Sequence, residues 1–354
     1  MKHKLKKLLA KRPLRRKEPE KSLEEAISNI PRITNETVAE HREEVLSSAR
    51  KYIYPLQHSL HRIVLISTGI FIILALTFFT YCTLALYRFN STSTFIYRVT
   101  QVIPFPVAKA GSMYVSYEDY LFELRHYMHY YQTQQKVDFD SDSGRQQLAA
   151  FRKVALQTVV NNAYIKQLAA RHHVSVTNQQ ITSEIELLRS QNRLGSNNAV
   201  FEDVLKEFWG WSIEDFKREL KSQMVAQKVV SELDTGTHSR AEAVLAQLRS
   251  GGDFATIAKQ SSEDLTTKGS GGDYGFAIDK TNRDLSPQVV DQLFKLQLGQ
   301  VSDIVETPLG LEILKVNEHN GDIVRASHIY FAFKPIATYT DPLKAQHKPH
   351  NFIK

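Results

Sequence analysis

Three groups of residues in this 354-residue chain have types and spacings that invite chemistry, and each can be weighed against the chemistry it would serve. The turn Gly269–Gly275, GSGGDYG, is rich enough in glycine to suggest a phosphate cradle. A phosphate loop needs Lys-Ser/Thr straight after its glycines, on a helix that follows a buried strand. Asp273-Tyr274-Gly275-Phe276 stands there instead, and a carboxylate is a poor neighbour for an anion. The phosphate and dinucleotide readings are therefore rejected, and the glycines are read as allowing positive φ in a tight entry to a strand. His126 and His129 are three apart and His172 and His173 are adjacent, but neither pair has the glutamate and third ligand of a zinc helix. Both pairs are expected on the surface, and no metal site is assigned. The single cysteine, Cys82, excludes an internal disulfide.

The elements around the glycine turn are legible. A helix ends at Gly251-Gly252, and a short amphipathic helix follows with Phe254, Ile257 and Ala258 on one face. Next come the acidic turn Ser261-Ser262-Glu263-Asp264 and then the glycines. Ser286-Pro287 opens another helix, with proline at the first helical position. Val301–Thr307 and Leu311–Val316 read as strands.

Ile63–Tyr87 is apolar and uncharged over its whole length, enough to cross a bilayer core of roughly 30 Å as a helix. Tyr81 and Tyr87 suit one interface, and Cys82 is expected facing lipid or packed. The net charge of +7 is concentrated before Lys21, on the N-terminal side of this run. The positive-inside rule then puts the N-terminus in the cytoplasm and the C-terminal bulk outside the membrane. This accounts for the basic block without a nucleic-acid partner. Residues 1–62 are expected as a largely disordered cytoplasmic tail with a helix over 37–54, 63–87 as the transmembrane helix, and 88–105 as a linker.

From Pro106 onward, apolar residues recur at helical spacing. Leu148, Phe151, Ala155, Val159 and Ala163 form one stripe, and Val176-Thr177 precedes a helix carrying Ile181, Ile185 and Leu188. The helix after Ser116 is unusually aromatic, which is read mostly as packing. The segments PVAKAG…VSYEDY, VSVTNQQI and FEDVLKEFWGWSIEDFKREL resemble the helical N-terminal chaperone region of SurA-type and PrsA-type foldases. The resemblance implies a helical cradle for unfolded segments over 106–236.

The order Gly252-Asp253-Phe254…Ala258, Ser262-Glu263-Asp264, Gly271-Gly272-Asp273-Tyr274-Gly275, Leu285-Ser286-Pro287, Phe294-Lys295-Leu296 and Gly299-Gln300-Val301-Ser302 resembles a parvulin-type peptidyl-prolyl cis-trans isomerase. The resemblance implies a domain at 237–333 that isomerises X–Pro bonds without a cofactor. It places the acidic position on Asp264 and the apolar pocket on Leu285, Val289, Phe294 and Phe276. A family histidine of the last strand falls on Glu312, in Gly310-Leu311-Glu312-Ile313. The family's first strand, V-R-A-S-H-I-L, is missing ahead of the helices, where only Asp234-Thr235-Gly236-Thr237 stands. A matching run, Val324-Arg325-Ala326-Ser327-His328-Ile329, appears after the last strand, behind the hairpin signal Asn320-Gly321. We therefore expect an α+β fold: an N-terminal transmembrane helix, a helical chaperone-like domain, and a parvulin-like antiparallel sheet that is circularly permuted, with His328 brought beside Asp264 and Glu312. A truncated second copy starting at Val324 is the alternative. Residues 334–354 are expected to be disordered.

Three functions remain: a membrane-anchored isomerase acting on exported, proline-containing chains; a non-catalytic holdase that keeps the fold; and a structural envelope anchor.

Overall fold

The computed structural model describes residues 33–53, 55–195 and 197–353, so the basic N-terminal block lies outside the described residues. The chain divides into two compact units, residues 1–81 and 82–354. The first unit holds α1, Asn35–Ile53, close to the expected 37–54, and most of α2, Pro55–Thr83. Apolar side chains along α2 lie open, with Leu65 and Phe71 each 71% exposed. Among the described residues, the stretch Arg62–Arg88, with a mean hydropathy of 2.5, is the one long and apolar enough to cross a membrane.

The end of that stretch behaves differently. Cys82, Ala85 and Leu86 are buried in the core of the second unit, in and beside a π-helical turn at Leu84–Arg88. The Tyr87 hydroxyl donates to the Pro106 carbonyl and that of Tyr117 to the Leu86 carbonyl, at 2.6 and 2.7 Å. The expected span to Tyr87 therefore ends in protein core, because hydropathy measures aversion to water and does not name the apolar partner. The expected linker 88–105 holds α3, Thr94–Val102, capped by Ser93 and anchored by buried Ile96.

After α3 come β1, Pro106–Ala110, and β2, Met113–Ser116, an antiparallel pair turned at Gly111. Ser116 caps α4, Tyr117–Thr133, by accepting from the Asp119 amide at 2.9 Å. The expected apolar stripe lies along α5, Asp142–Arg171, with Ala155, Val159 and Ala163 buried. Burying each such valine contributes on the order of 1.5–3 kcal/mol. Thr177 and Gln180 form a capping box on α6, Asn178–Ser190. Then follow α7, Asn198–Val204, a second π turn at Leu205–Trp209, and α8, Ile213–Leu233. Most of the aromatic residues of α4 are packed: Tyr117 and Tyr120 are buried, and Trp211 stacks on Phe122. His126, expected on the surface, sits against Tyr127, Trp209 and Trp211, and burial pushes its pKa down to about 4.

After α9, Thr235–Arg249, and α10, Phe254–Ser261, comes a four-stranded antiparallel sheet in the order β3-β6-β5-β4. Its strands are β3, Ile278–Asp279; β4, Val305–Glu306; β5, Gly310–Asn320; and β6, Ile323–Ala332. The helix α11, Pro287–Leu293, is capped by Ser286 and packs on the side of the sheet that holds Leu314 and Val324. The helices α9 and α10 pack on the side that holds Ile313 and Ile329.

Residues 334–353 are ordered, against expectation. They form α12, Ala337–Gln346, and β7, His350–Asn351, which pairs with β1. Leu343 and Ile353 bury themselves in the core of the helical region. Their partners lie some two hundred residues back in sequence, so no local periodicity announces the segment.

Candidate functional site

The β5–β6 hairpin closes through Gly321-Asp322, with Gly321 at φ +60°. Its register sets Glu312 opposite Tyr330 and Leu314 opposite His328. β3 pairs with β6 only at Ile323 and Val324, so the glycine turn and the acidic turn take up the rest of that edge. Gly272 accepts from the His328 amide at 2.8 Å, and the Tyr274 amide donates to Ala326 at 3.1 Å. A Cβ on Gly272 would lie 2.2 Å from the His328 carbonyl oxygen, and φ there is +85°. The glycine therefore serves both close approach and handedness. The acidic turn is tied to the same strand: the Glu263 amide donates to Tyr330, and the Tyr330 amide to the Ser262 hydroxyl, at 2.8 and 3.2 Å.

These ties bring the three expected polar residues together. His328, 6% exposed, has Nδ1 2.8 Å from Glu312 Oε2 and Nε2 3.0 Å from Asp264 Oδ2. Two residues not assigned from sequence complete the cluster. The Thr267 hydroxyl lies 2.8 Å from both His328 Nε2 and Asp264 Oδ2. The Tyr274 hydroxyl donates to Glu312 Oε2 at 2.9 Å, and its ring stacks on the imidazole with centroids 4.2 Å apart. Tyr274 stood in the glycine motif as a signal; Thr267 had none.

Burial works to raise the Asp264 pKa. Hydrogen bonds from the Thr266 hydroxyl and amide, from Thr267 and from His328 outweigh it and hold the carboxyl at about 2. Burial, and then the charge of Glu312, pushes the Tyr274 phenol well above its usual value, so it remains a donor. Both carboxylates can only accept, and the Thr267 proton goes to Asp264, so the geometry asks the imidazole to donate from Nδ1 to Glu312 and from Nε2 to Asp264.

The expected pocket residues lie on the Tyr274 side. Leu285 and Phe294 are partly buried in the same apolar cluster as Tyr274, and Phe276, 37% exposed, has its ring 5.9 Å from Tyr274. Val289 sits at the centre of that cluster and is fully buried. The loop carrying Leu285 is held from the helical region. Arg193 Nη2 donates to the carbonyls of Asn282 and Leu285, each at 2.6 Å, and Gln191 to that of Pro287 at 2.8 Å.

Residues 224–318 match the PPIC-type peptidyl-prolyl isomerase (rotamase) domain family, and residues 58–230 match the SurA-like N-terminal domain family. The two matches together run from residue 58 to residue 318, and the isomerase-family match stops short of β6.

Among its relatives is the foldase protein PrsA 2 of Bacillus cereus, 26% identical over 40% of this chain and 54% of that protein. The foldase protein PrsA of Pediococcus pentosaceus is 32% identical over 46% of this chain and 54% of its own. The periplasmic chaperone PpiD of Escherichia coli is 33% identical over 24% of this chain and 13% of its own. The chain thus spans about half the length of the PrsA relatives it matches. The solved foldase protein PrsA of Streptococcus pneumoniae aligns over 58% of this chain and 80% of its own, at 17% identity and a TM-score of 0.19, too low to bear on the fold.

Proposed function

We propose that this protein is a membrane-anchored extracytoplasmic foldase that isomerises X–Pro bonds in exported polypeptides. The observation that carries the reading is the convergence of His328, Asp264 and Glu312, from three separate segments, within hydrogen-bond distance of one imidazole. Rotation about the X–Pro amide is opposed by a barrier of about 20 kcal/mol, which conjugation creates. A site lowers it by binding the twisted amide better than either planar form. In this reading Leu285, Phe294 and Phe276 hold the ring, with Val289 supporting them from the core. The polar cluster, kept in one protonation pattern by Thr267 and Tyr274, faces the carbonyl and nitrogen.

The domain is read as circularly permuted, with β6 standing for the family's first strand. Support comes from its position: β6 lies inside the sheet between β3 and β5, and Val324, Ala326, Ile329 and Phe331 are buried. The start of an unfinished second copy would have no reason to be an inner strand of the first. Ending the chain after Glu318 is expected to unfold the sheet; a stable, active truncation would exclude permutation.

A non-catalytic holdase is the second reading, favoured by Glu312 in a histidine position and by the Tyr274 ring covering His328. A proline-peptide isomerisation assay on the detergent-solubilised chain separates the two. Acceleration lost in Asp264→Ala and in His328→Ala supports the enzyme. Suppressed client aggregation without acceleration supports the holdase.

A further inference from the structure

Glu123, on α4, is a buried carboxyl that the proposed isomerase site does not use. It is 8% exposed and lines a cavity of about 580 Å³ between α4, α5 and α8. The volume lies within the 300–1,000 Å³ usual for binding sites. Phe122, Val159, Ile165, Val176 and Val225 make the wall apolar.

The charges around the cavity are unevenly paired. Arg218 is taken up by Glu118, at 2.7 and 2.8 Å, and by Asp119, at 2.5 Å. Lys166 lies 4.0 Å from Asp119. Among the described residues Glu219, whose charge bears on Glu123 from α8, accepts from Gln223 alone, and Lys221, exposed on the same lining, has no ion pair. Among the described residues, Glu123 has no hydrogen bond, and its nearest charged-type neighbour is His126 Nδ1 at 3.7 Å. Burial keeps that imidazole neutral at pH 7 and above. Arg218, whose charge reaches Glu123, is already paired with Glu118 and Asp119, so a desolvated carboxylate in an apolar wall, beside a second acid, has no cation at pairing distance. We propose that the cavity binds a lysine or arginine side chain flanked by apolar residues in an extended client segment, with Glu123 as its counter-ion.

The inference rests on the reading of the helical region as client-binding, and the test separates the two. Three fluorescein-labelled decapeptides, identical except for Lys, norleucine or Glu between two leucines, are titrated at pH 8 against the full chain in detergent. The lysine peptide is expected to bind at least about tenfold tighter than the norleucine one, a difference of about 1.4 kcal/mol. Glu123→Gln is expected to erase that difference and leave the norleucine affinity within about twofold. Ser222→Trp, which crowds the cavity with an indole, is expected to weaken both peptides. Equal binding of the lysine and norleucine peptides by the unaltered protein overturns the counter-ion proposal and leaves the chaperone reading intact. A lysine preference that survives Glu123→Gln overturns it as well. Binding of none of the three overturns both.

Discussion

Removing the imidazole of His328 tests the polar cluster most directly. In His328→Ala, Glu312 keeps its bond from Tyr274, and Asp264 keeps those from Thr266 and Thr267, but the donor that served both carboxylates is gone. Breaking a buried charge network from one side costs about 3–5 kcal/mol. The Asp264 side chain is 23% exposed and retains three hydrogen bonds, so its share is reduced, and about 2–4 kcal/mol remains for the pair. The loss should appear in local opening of the hairpin, read by hydrogen exchange of β5 and β6 amides at pH 7 in the solubilised full chain. Protection should fall between about thirty-fold and several-hundred-fold, at 1.4 kcal/mol per factor of ten. Adding Glu312→Gln should return part of it, because one of the two facing charges disappears. Protection within about threefold of the unaltered protein would refute the reasoning. So would a double variant weaker than the two single losses combined, since the coupling would then have the wrong sign.

Burial, with Glu219 adding to it, raises the Glu123 carboxyl from 4.5 to about 7. The raised acid contributes stability that is fully present below about pH 4.5 and lost as pH rises through about 7, in all about 3 kcal/mol. The melting temperature of Glu123→Gln, followed through Trp209 and Trp211, should therefore gain on the unaltered protein as pH goes from 5 to 8; a constant difference would exclude the linkage. Gly272→Ala puts a methyl group 2.2 Å from the His328 carbonyl oxygen at positive φ, and should destabilise the sheet by more than about 2 kcal/mol in the same exchange experiment. Arg193→Ala removes two carbonyl contacts from the loop at Asn282 and Leu285, and should speed exchange of 282–289 at least about tenfold while leaving β5 and β6 unchanged. If β5 and β6 change equally, the loop is not held separately.

The parts legible in the sequence were those written in local code. The stripe of α5, the Thr177 cap, the Asn320-Gly321 hairpin and the uncharged run along α2 each state themselves within a few turns of chain. His328 was also placeable, because one strand-length motif and one turn signal carried it back to Asp264 and Glu312. Thr267 was not, since its role depends only on the distance to an imidazole 61 residues away. The ordering of 334–353 was missed because Leu343 and Ile353 pack singly against distant elements. Cys82 was left open between lipid and packing, and the burial of Ala85 and Leu86 was missed, because lipid and protein interior read alike in hydropathy.

Asp234 joins the two ends of the segment that carries the sheet, 235–333. It closes α8, is 1% exposed, and accepts from the Lys334 amide at 2.9 Å and from the Thr237 hydroxyl at 3.0 Å. The chain thus leaves the helical region and comes back to it past one carboxylate. The loop at 282–288 is fastened to the helical region as well, through Glu184, Gln191, Asn192 and Arg193, so the sheet is held at its junction and at that loop together.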